Sequence, residues 1–300
     1  MTKARDFLGP YRLTRLIRLG STCQVWEALD ETKNIRYALK VLRPDQRGNR
    51  GELAFLKHEF DVANSLNHRN IIKILEFNKS TDTPFLVLEL FSEMNLKQAI
   101  RRGPNMIAYM LDKILVQIVE SLYYFHSKGY VHCDIKPDNL LISREGDIKL
   151  IDFTISSKAT SGLRKFFNMG TKVQGTRSYM SPEQIRNQSL DARADVYSLG
   201  CVFFELVTGK LPFTASSPNE LLSKHLSTQV PSALVTNDNV SVEFNALIKS
   251  MMAKEVKDRI QMWDVLKQVR SIKIFKKPPR IPDSSFYDDF EGGGRIEARS

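Results

Sequence analysis

The chain has 300 residues, 42% of them hydrophobic, enough to bury a large core in one two-part domain or in two domains. A formal net charge of +10 and a pI near 9.4 favour acidic partners such as nucleotide phosphate, acidic peptide or a membrane surface, but no basic cluster is interleaved with aromatics as a nucleic-acid surface requires. The cysteines Cys23, Cys133 and Cys201 are odd in number and lack C-x-x-C spacing, which excludes a readable disulfide framework or zinc site and makes a reducing cytoplasm the expected setting. The opening "MTKARDFLGPYRL" lacks the apolar core of a signal peptide, and no stretch reaches the ~18 apolar residues of a membrane span. The nearest, "LGCVFFELV", is short and carries Glu205.

Segments 11–18, 24–29, 35–42, 72–77 and 85–90 are rich in Leu, Ile and Val with turn residues such as Asp30 and Asn34 between them, which predicts a five-stranded sheet. One helix interrupts it. In "ELAFLKHEFDVANSL", Phe55, Leu56, Ala63 and Leu66 recur at helical spacing, and Glu59 lies on that apolar face, where a carboxylate needs a partner. From Leu111 to Lys128 the apolar residues Ile114, Leu115, Ile118, Leu122 and Phe125 predict a helix stopped at Gly129, followed by a strand pair around "VHCDIKPDNLLI". "DVYSLGCVFFELVTG" is apolar nearly all round, from Asp195 to Gly209, as in a helix buried mid-domain. Beyond about residue 271 the chain turns rich in Pro, Gly and charge and reads as a flexible tail or linker.

Strand residues alternate faces, so in "YALKV" the small Ala38 and the cation Lys40 point the same way. Alone, Lys40 reads as an exposed strand lysine. In order along the chain, however, stand Gly20, Lys40, Glu59, His132 with Asp134, Lys136 and Asn139, "IDF" at 151–153, "SPE" at 181–183, Asp195 and Arg259. This ordered set resembles the eukaryotic-like serine/threonine protein kinase family over about residues 11–270.

The resemblance implies an α+β, bilobal protein-kinase-like fold, with a small lobe (11–88) of a five-stranded antiparallel sheet and one main helix, a hinge (89–95) and a larger, mainly helical lobe (96–270). Residues 1–10 are then an N-terminal extension and 271–300 a tail. It implies ATP and Mg2+ as cofactors, with Mn2+ as a substitute, and protein substrates. Phosphoryl transfer asks mainly for positioning and charge cancellation. Asp134 is expected to orient a substrate hydroxyl and take its proton, Lys136 to neutralise the transferring group, and Asn139 and Asp152 to ligate the metal through hard oxygens. The resemblance likewise implies that Lys40, held by Glu59, reaches the phosphates, and that Gly20 and Ser21 lie in the phosphate loop. By the same resemblance Val25, Ala38 and Leu141 are expected to sandwich adenine, with Leu88 behind it and the Glu89–Phe91 backbone as its hydrogen-bonding edge. Lys136 and Thr176 go with serine/threonine substrates, His132 and Phe153 with a packing stack, and Glu183 and Arg259 with a buried ion pair.

Three features depart from the family. "RLGSTCQV" keeps only the middle glycine of the phosphate loop, with Arg18 and Cys23 at the outer positions, so weaker or differently shaped ATP binding is expected. Thr154 replaces the glycine of D-F-G, which should stiffen the segment and bias Asp152 toward one setting. Cys133 replaces the arginine that anchors an activation-loop phosphate, so phosphorylation of a loop carrying Thr171, Lys158, Arg164, Lys165, Lys172 and Arg177 is not expected to be the switch. As a nucleophile Cys133 is implausible beside Asp134, which raises its pKa. The damaged loop and lost glycine leave a pseudokinase scaffold as the alternative, and a small-molecule kinase is disfavoured by Lys136, Thr176 and "SPE". The tail "SSFYDDFEGG" loosely resembles an acidic aromatic segment that folds back with Phe286 or Phe290 near the nucleotide, against the alternative of a plain linker.

Overall fold

The structure is a computed structural model that describes residues 7–79, 83–91, 93–158 and 177–281. Thr171, Thr176, Arg164, Lys165, Lys172 and the Phe286–Phe290 segment lie outside the described residues. The described residues form two compact units: one of the residues through Phe91 with Ile151–Thr154, the other of Glu93–Leu150 and the residues from Ile155 onward.

The first unit is an antiparallel sheet of β1 (Phe7–Leu8), β2 (Tyr11–Leu19), β3 (Cys23–Asp30), β4 (Ile35–Leu42), β5 (Ile74–Asn78) and β6 (Phe85–Glu89), ordered β1-β2-β3-β4-β6-β5. The five expected strands are joined by a sixth, β1, whose two residues pair Phe7 with Arg12 and Leu8 with Tyr11 and are too few to show an alternation. Alternation sends Leu39 and Val41 into a core with Tyr11, Ala28, Phe85 and Val87, where the Tyr11 ring meets Tyr37 and Phe85 edge-on. Ala38 and Lys40 therefore take the other face. The register pairs Val25 with Lys40, Glu27 with Ala38, and Ala38 with Leu88, which puts these residues on that same face. Helix α1 (Arg50–Asn64) starts at Asn49, whose side chain accepts from the amides of Gly51 and Glu52, and buries Leu56, Glu59, Val62 and Ala63. Leu66 falls beyond its end.

In the second unit, helix Leu111–Ser127 buries Ile114, Leu115, Ile118, Leu122 and Phe125 as its periodicity predicts, and Gly129 follows with φ 81°. Helix Ala192–Thr208 buries every residue from Ala194 to Val207 and ends at Gly209, φ 70°. It begins a turn before the expected Asp195, because Asp191 caps it by accepting from the Arg193 amide, and this turns Asp195 inward. Helices Val242–Met251 and Met262–Ser271 complete the core through the stacked rings of Phe203 and Phe244 and the pairing of Tyr123 with Trp263. Two small sheets, β7 (Met94–Asn95) with β9 (Leu140–Ile142) and β10 (Ile148–Leu150), and β8 (Tyr130–Val131) with β11 (Ser157–Lys158), frame residues 132–139.

Residues 272–277, which composition places in the tail, are held down. Ser241 donates its amide to Ile274 O and its hydroxyl to Lys273 O, Lys276 N donates to Asn239 O, and Ile274 is 3% exposed. Among the described residues no helix is long and apolar enough to cross a membrane.

Candidate active site

In the first unit Lys40 is the centre of charge. Its Nζ donates to Glu59 Oε2 at 2.6 Å and to Asp152 Oδ1 at 3.2 Å. Strand β4 aims the lysine away from the core and α1 turns Glu59 inward, so the carboxylate stranded on an apolar helix face finds its cation. Burial works against the ammonium, but Asp152 and Glu59 outweigh it and hold the Lys40 pKa above the usual lysine range. Asp152 stands in a left-handed backbone, φ 70°. Thr154 Oγ1 lies 2.6 Å from Asp152 Oδ1, a contact that reading Thr154 only as a lost glycine does not foresee.

The remaining predicted residues of this unit surround that face. Gly20 donates its amide to Cys23 O at 2.8 Å, closing a tight turn in which a Cβ on Gly20 would stand 3.0 Å from that oxygen. Ser21 is the exposed tip, Val25 is half-buried, and Ala38 and Leu88 are buried side by side. Glu89 commits its amide to Lys73 O at 3.0 Å, so that donor is taken up within the sheet, and Phe91 is half-buried.

In the second unit, Lys136 Nζ lies 2.5 Å from Asp134 Oδ2, and Asn139 Nδ2 donates both to that oxygen, at 3.0 Å, and to Asp134 O, at 2.9 Å. These bonds orient the amide so that Asn139 Oδ1 is left buried with no hydrogen-bond partner among the described residues. A buried carbonyl oxygen without a donor is costly unless a cation or donor meets it, and a hard oxygen of this kind is the type of ligand that suits Mg2+. Leu141 is half-buried on β9. Lys40, Glu59 and Asp152 are thus brought together in one unit, and Asp134, Lys136 and Asn139 in the other.

What holds residues 132–134 in place is Asp195. Its Oδ2 accepts from the His132 amide at 2.7 Å and lies 2.8 Å from His126 Nε2, and its Oδ1 accepts from the Cys133 amide at 2.9 Å. In the sequence Asp195 stood at the start of an apolar helix and within the ordered set of residues that carries the resemblance, but neither signal showed that it would accept from the backbone of residues 132 and 133. Cys133 itself is left-handed, φ 69°, and packs with Val131, Leu190, Ala194 and Ile155. Burial first, then the neighbouring Asp195, pushes its thiol well above the usual range, so it is no nucleophile, and Asp134 adds only a small further push. His132 is fully buried against Phe125, and among the described residues no group of three or more His, Cys, Asp and Glu side chains is placed to hold a metal. Glu205 is paired with the Lys97 ammonium, Nζ to Oε1 at 2.5 Å, and accepts a hydrogen bond from the Tyr179 hydroxyl at 2.5 Å.

Residues 11–269 match the family model described as protein kinase domain. The chain is similar to the serine/threonine-protein kinase PrkC of Bacillus subtilis (strain 168), 33% identical over 247 residues that cover 82% of this chain and 38% of PrkC. It is similar also to the serine/threonine-protein kinase PknL of Mycobacterium tuberculosis, 34% identical over 250 residues (83% and 62%), and to PknH of Mycobacterium bovis, 31% identical over 258 residues (86% and 43%). The chain therefore spans less than two thirds of the length of each of these relatives.

Proposed function

We propose that this chain, which belongs to the protein kinase family, transfers the γ-phosphoryl group of ATP to serine and threonine hydroxyls of protein substrates, with Mg2+ as the divalent cation and Mn2+ as its substitute. The observation that carries the reading is the intact charge set around Lys40, with Glu59 at 2.6 Å and Asp152 at 3.2 Å, which a scaffold without turnover has no need to keep. The names of the relatives support the serine/threonine assignment and weigh against the pseudokinase.

Lys40 binds nucleotide phosphate, and Glu59 keeps its ammonium directed. The face bearing Val25, Ala38 and Leu88 takes the adenine, together with Leu141 and the backbone of Glu89 to Phe91, while Gly20 and Ser21 cover the phosphates. Asp134 orients the substrate hydroxyl and accepts its proton; Lys136 lowers the charge on the transferring group. Asn139 Oδ1 and the Asp152 carboxylate hold the cation, which when bound supplies charge neutralisation on the phosphates. The setting is cytoplasmic, in keeping with three free thiols.

Activity is independent of activation-loop phosphorylation. The support is Cys133, a buried neutral thiol where an arginine would grip a phosphate. Purified protein incubated with labelled ATP, Mg2+ and a basic protein substrate is expected to transfer label, and Asp134→Asn is expected to bind ATP without transferring it. Wild-type transfer no greater than that of Asp134→Asn, with ATP still bound, would favour the scaffold. Phosphatase-treated protein should keep its activity within about a hundredfold, ~2.7 kcal/mol.

A further inference from the structure

Thr154 occupies the place of a glycine without needing a glycine's backbone. Among residues 151–154 the left-handed angle belongs to Asp152, not to Thr154. The threonine therefore sits without backbone strain, and what it adds is a hydroxyl. That hydroxyl donates to Asp152 Oδ1 at 2.6 Å, approaches Glu59 Oε2 at 3.2 Å and accepts from Lys40 Nζ at 3.3 Å. A hydroxyl has one proton and two lone pairs, so the short contact takes the proton, Glu59 receives the weaker branch, and the ammonium fills a lone pair. One β-branched side chain with restricted rotation thus touches every member of the charge set.

Asp152 is the member that most needs holding. Its contact with Lys40 is longer than that of Glu59, its side chain is 27% exposed against 2% for Glu59, and its left-handed backbone persists only where the surroundings enforce it. We propose that Thr154 is a positioning residue whose hydroxyl latches the Asp152 carboxylate to Lys40 and Glu59 in the nucleotide-free chain, fixing the metal-binding segment in one setting. The inference rests on the kinase reading for the task it gives Asp152; the latch itself belongs to the side chains of the first unit.

Hydrogen exchange of the amides of residues 148–156, measured on the full chain without nucleotide, tests it. Thr154→Val keeps the shape and removes the hydroxyl, Thr154→Ser keeps the hydroxyl, and Thr154→Gly removes both. The valine and glycine variants are expected to exchange about tenfold faster over this segment, as loss of a hydrogen bond to a charged group implies, while serine stays within about twofold of wild type. Exchange in strand β3 (Cys23–Asp30), in the same unit, should not change and reports whether a variant is folded. An ATP-competitive compound that binds only with Phe153 displaced should bind the valine and glycine variants about tenfold more tightly than the other two. A valine variant that exchanges like wild type, or a serine variant that behaves like valine, would overturn the latch; if valine fails to fold, serine against glycine decides. None of these readings involves phosphoryl transfer, so an inactive enzyme would refute the kinase reading and leave the latch to be judged on its own.

Discussion

Arg259 grips Glu183 with both terminal nitrogens, Nη1 to Oε1 at 2.5 Å and Nη2 to Oε2 at 3.0 Å, and the two side chains are 0% and 2% exposed. The other three N–H groups of the guanidinium are also used, on the carbonyls of Ala253, Arg193 and Lys254. A fork with all five donors matched cannot be replaced by a three-donor ammonium. Arg259→Ala and Glu183→Ala are each expected to lose roughly 3 to 5 kcal/mol in urea unfolding, because each strands a buried charge. Arg259→Lys should recover little of it; full recovery would show that charge alone matters here.

Asp195 holds Cys133 in a conformation that L-residues avoid at a cost of about 1–2 kcal/mol, by accepting from the amides of His132 and Cys133. Burial lifts its carboxyl, but His126 and the amide bonds outweigh burial and keep it below the usual range. Its contribution is therefore present above the unfolded value near 4 and is lost as pH falls through the lower folded one. Asp195→Asn turns an amide N–H toward a backbone donor. The kcat is expected to fall at least about tenfold, ~1.4 kcal/mol, with ATP affinity unchanged. Unchanged kcat would mean that the 132–134 turn holds itself.

The helices and the main strands were legible because burial is periodic: Ile114 to Phe125 and Leu39 with Val41 declare their faces in the sequence alone. The pairing of Lys40 with Glu59 was legible in part: a carboxylate on an apolar helix stripe needs a partner, whereas Lys40 alone read as an exposed strand lysine and became that partner only once the ordered set of family residues was counted. Strand β2 was harder. Its register with β3 slips between Leu13 and Arg15 and again between Leu16 and Arg18, so Arg12, Arg15 and Arg18 stand opposite Leu29, Glu27 and Val25, where strict alternation would split them between faces. Arg15 thereby reaches Glu27 at 2.9 Å. Contacts across long separations left no local trace either: Asp195 to Cys133, Asn239 to Lys276 and Thr154 to Glu59 depend on closure of the chain, not on neighbouring residues.

Gly200 lies inside helix Ala192–Thr208, where glycine normally costs about 1 kcal/mol relative to alanine. Alanine should therefore help, unless space forbids it. A Cβ there would stand 2.7 Å from Met252 Cγ and 3.0 Å from Met251 Cβ, and both methionines are fully buried. Met251 Cβ is fixed to its own helix and cannot retreat. Gly200→Ala is expected to lose about 1–2 kcal/mol net, read as a lower Tm, because overpacking exceeds the gain in propensity. A raised Tm would show that the methionine pair yields.

His225 is fully buried, with Nδ1 3.1 Å from the Tyr197 hydroxyl, its ring edge-on to Phe213, and Nε2 without a hydrogen-bond partner among the described residues. Lys254 Nζ donates to its carbonyl at 2.9 Å. Burial, then the nearby Lys254 charge, pushes the imidazole down to about 4. The unfolded chain takes up a proton near pH 6.5 that the folded chain refuses until about pH 4, so the stability due to neutral His225 is complete above pH 6.5 and drains away as pH falls toward 4. At 1.36 kcal/mol per pH unit, that amounts to about 2 kcal/mol lost between pH 7 and pH 4.5. His225→Asn keeps a polar group near the Tyr197 hydroxyl and cannot titrate. Urea unfolding of both proteins at the two pH values should therefore show the variant losing about 2 kcal/mol less than wild type on acidification, because every other titrating group is common to both. Equal acid losses would mean that protonated His225 is accommodated in the folded unit.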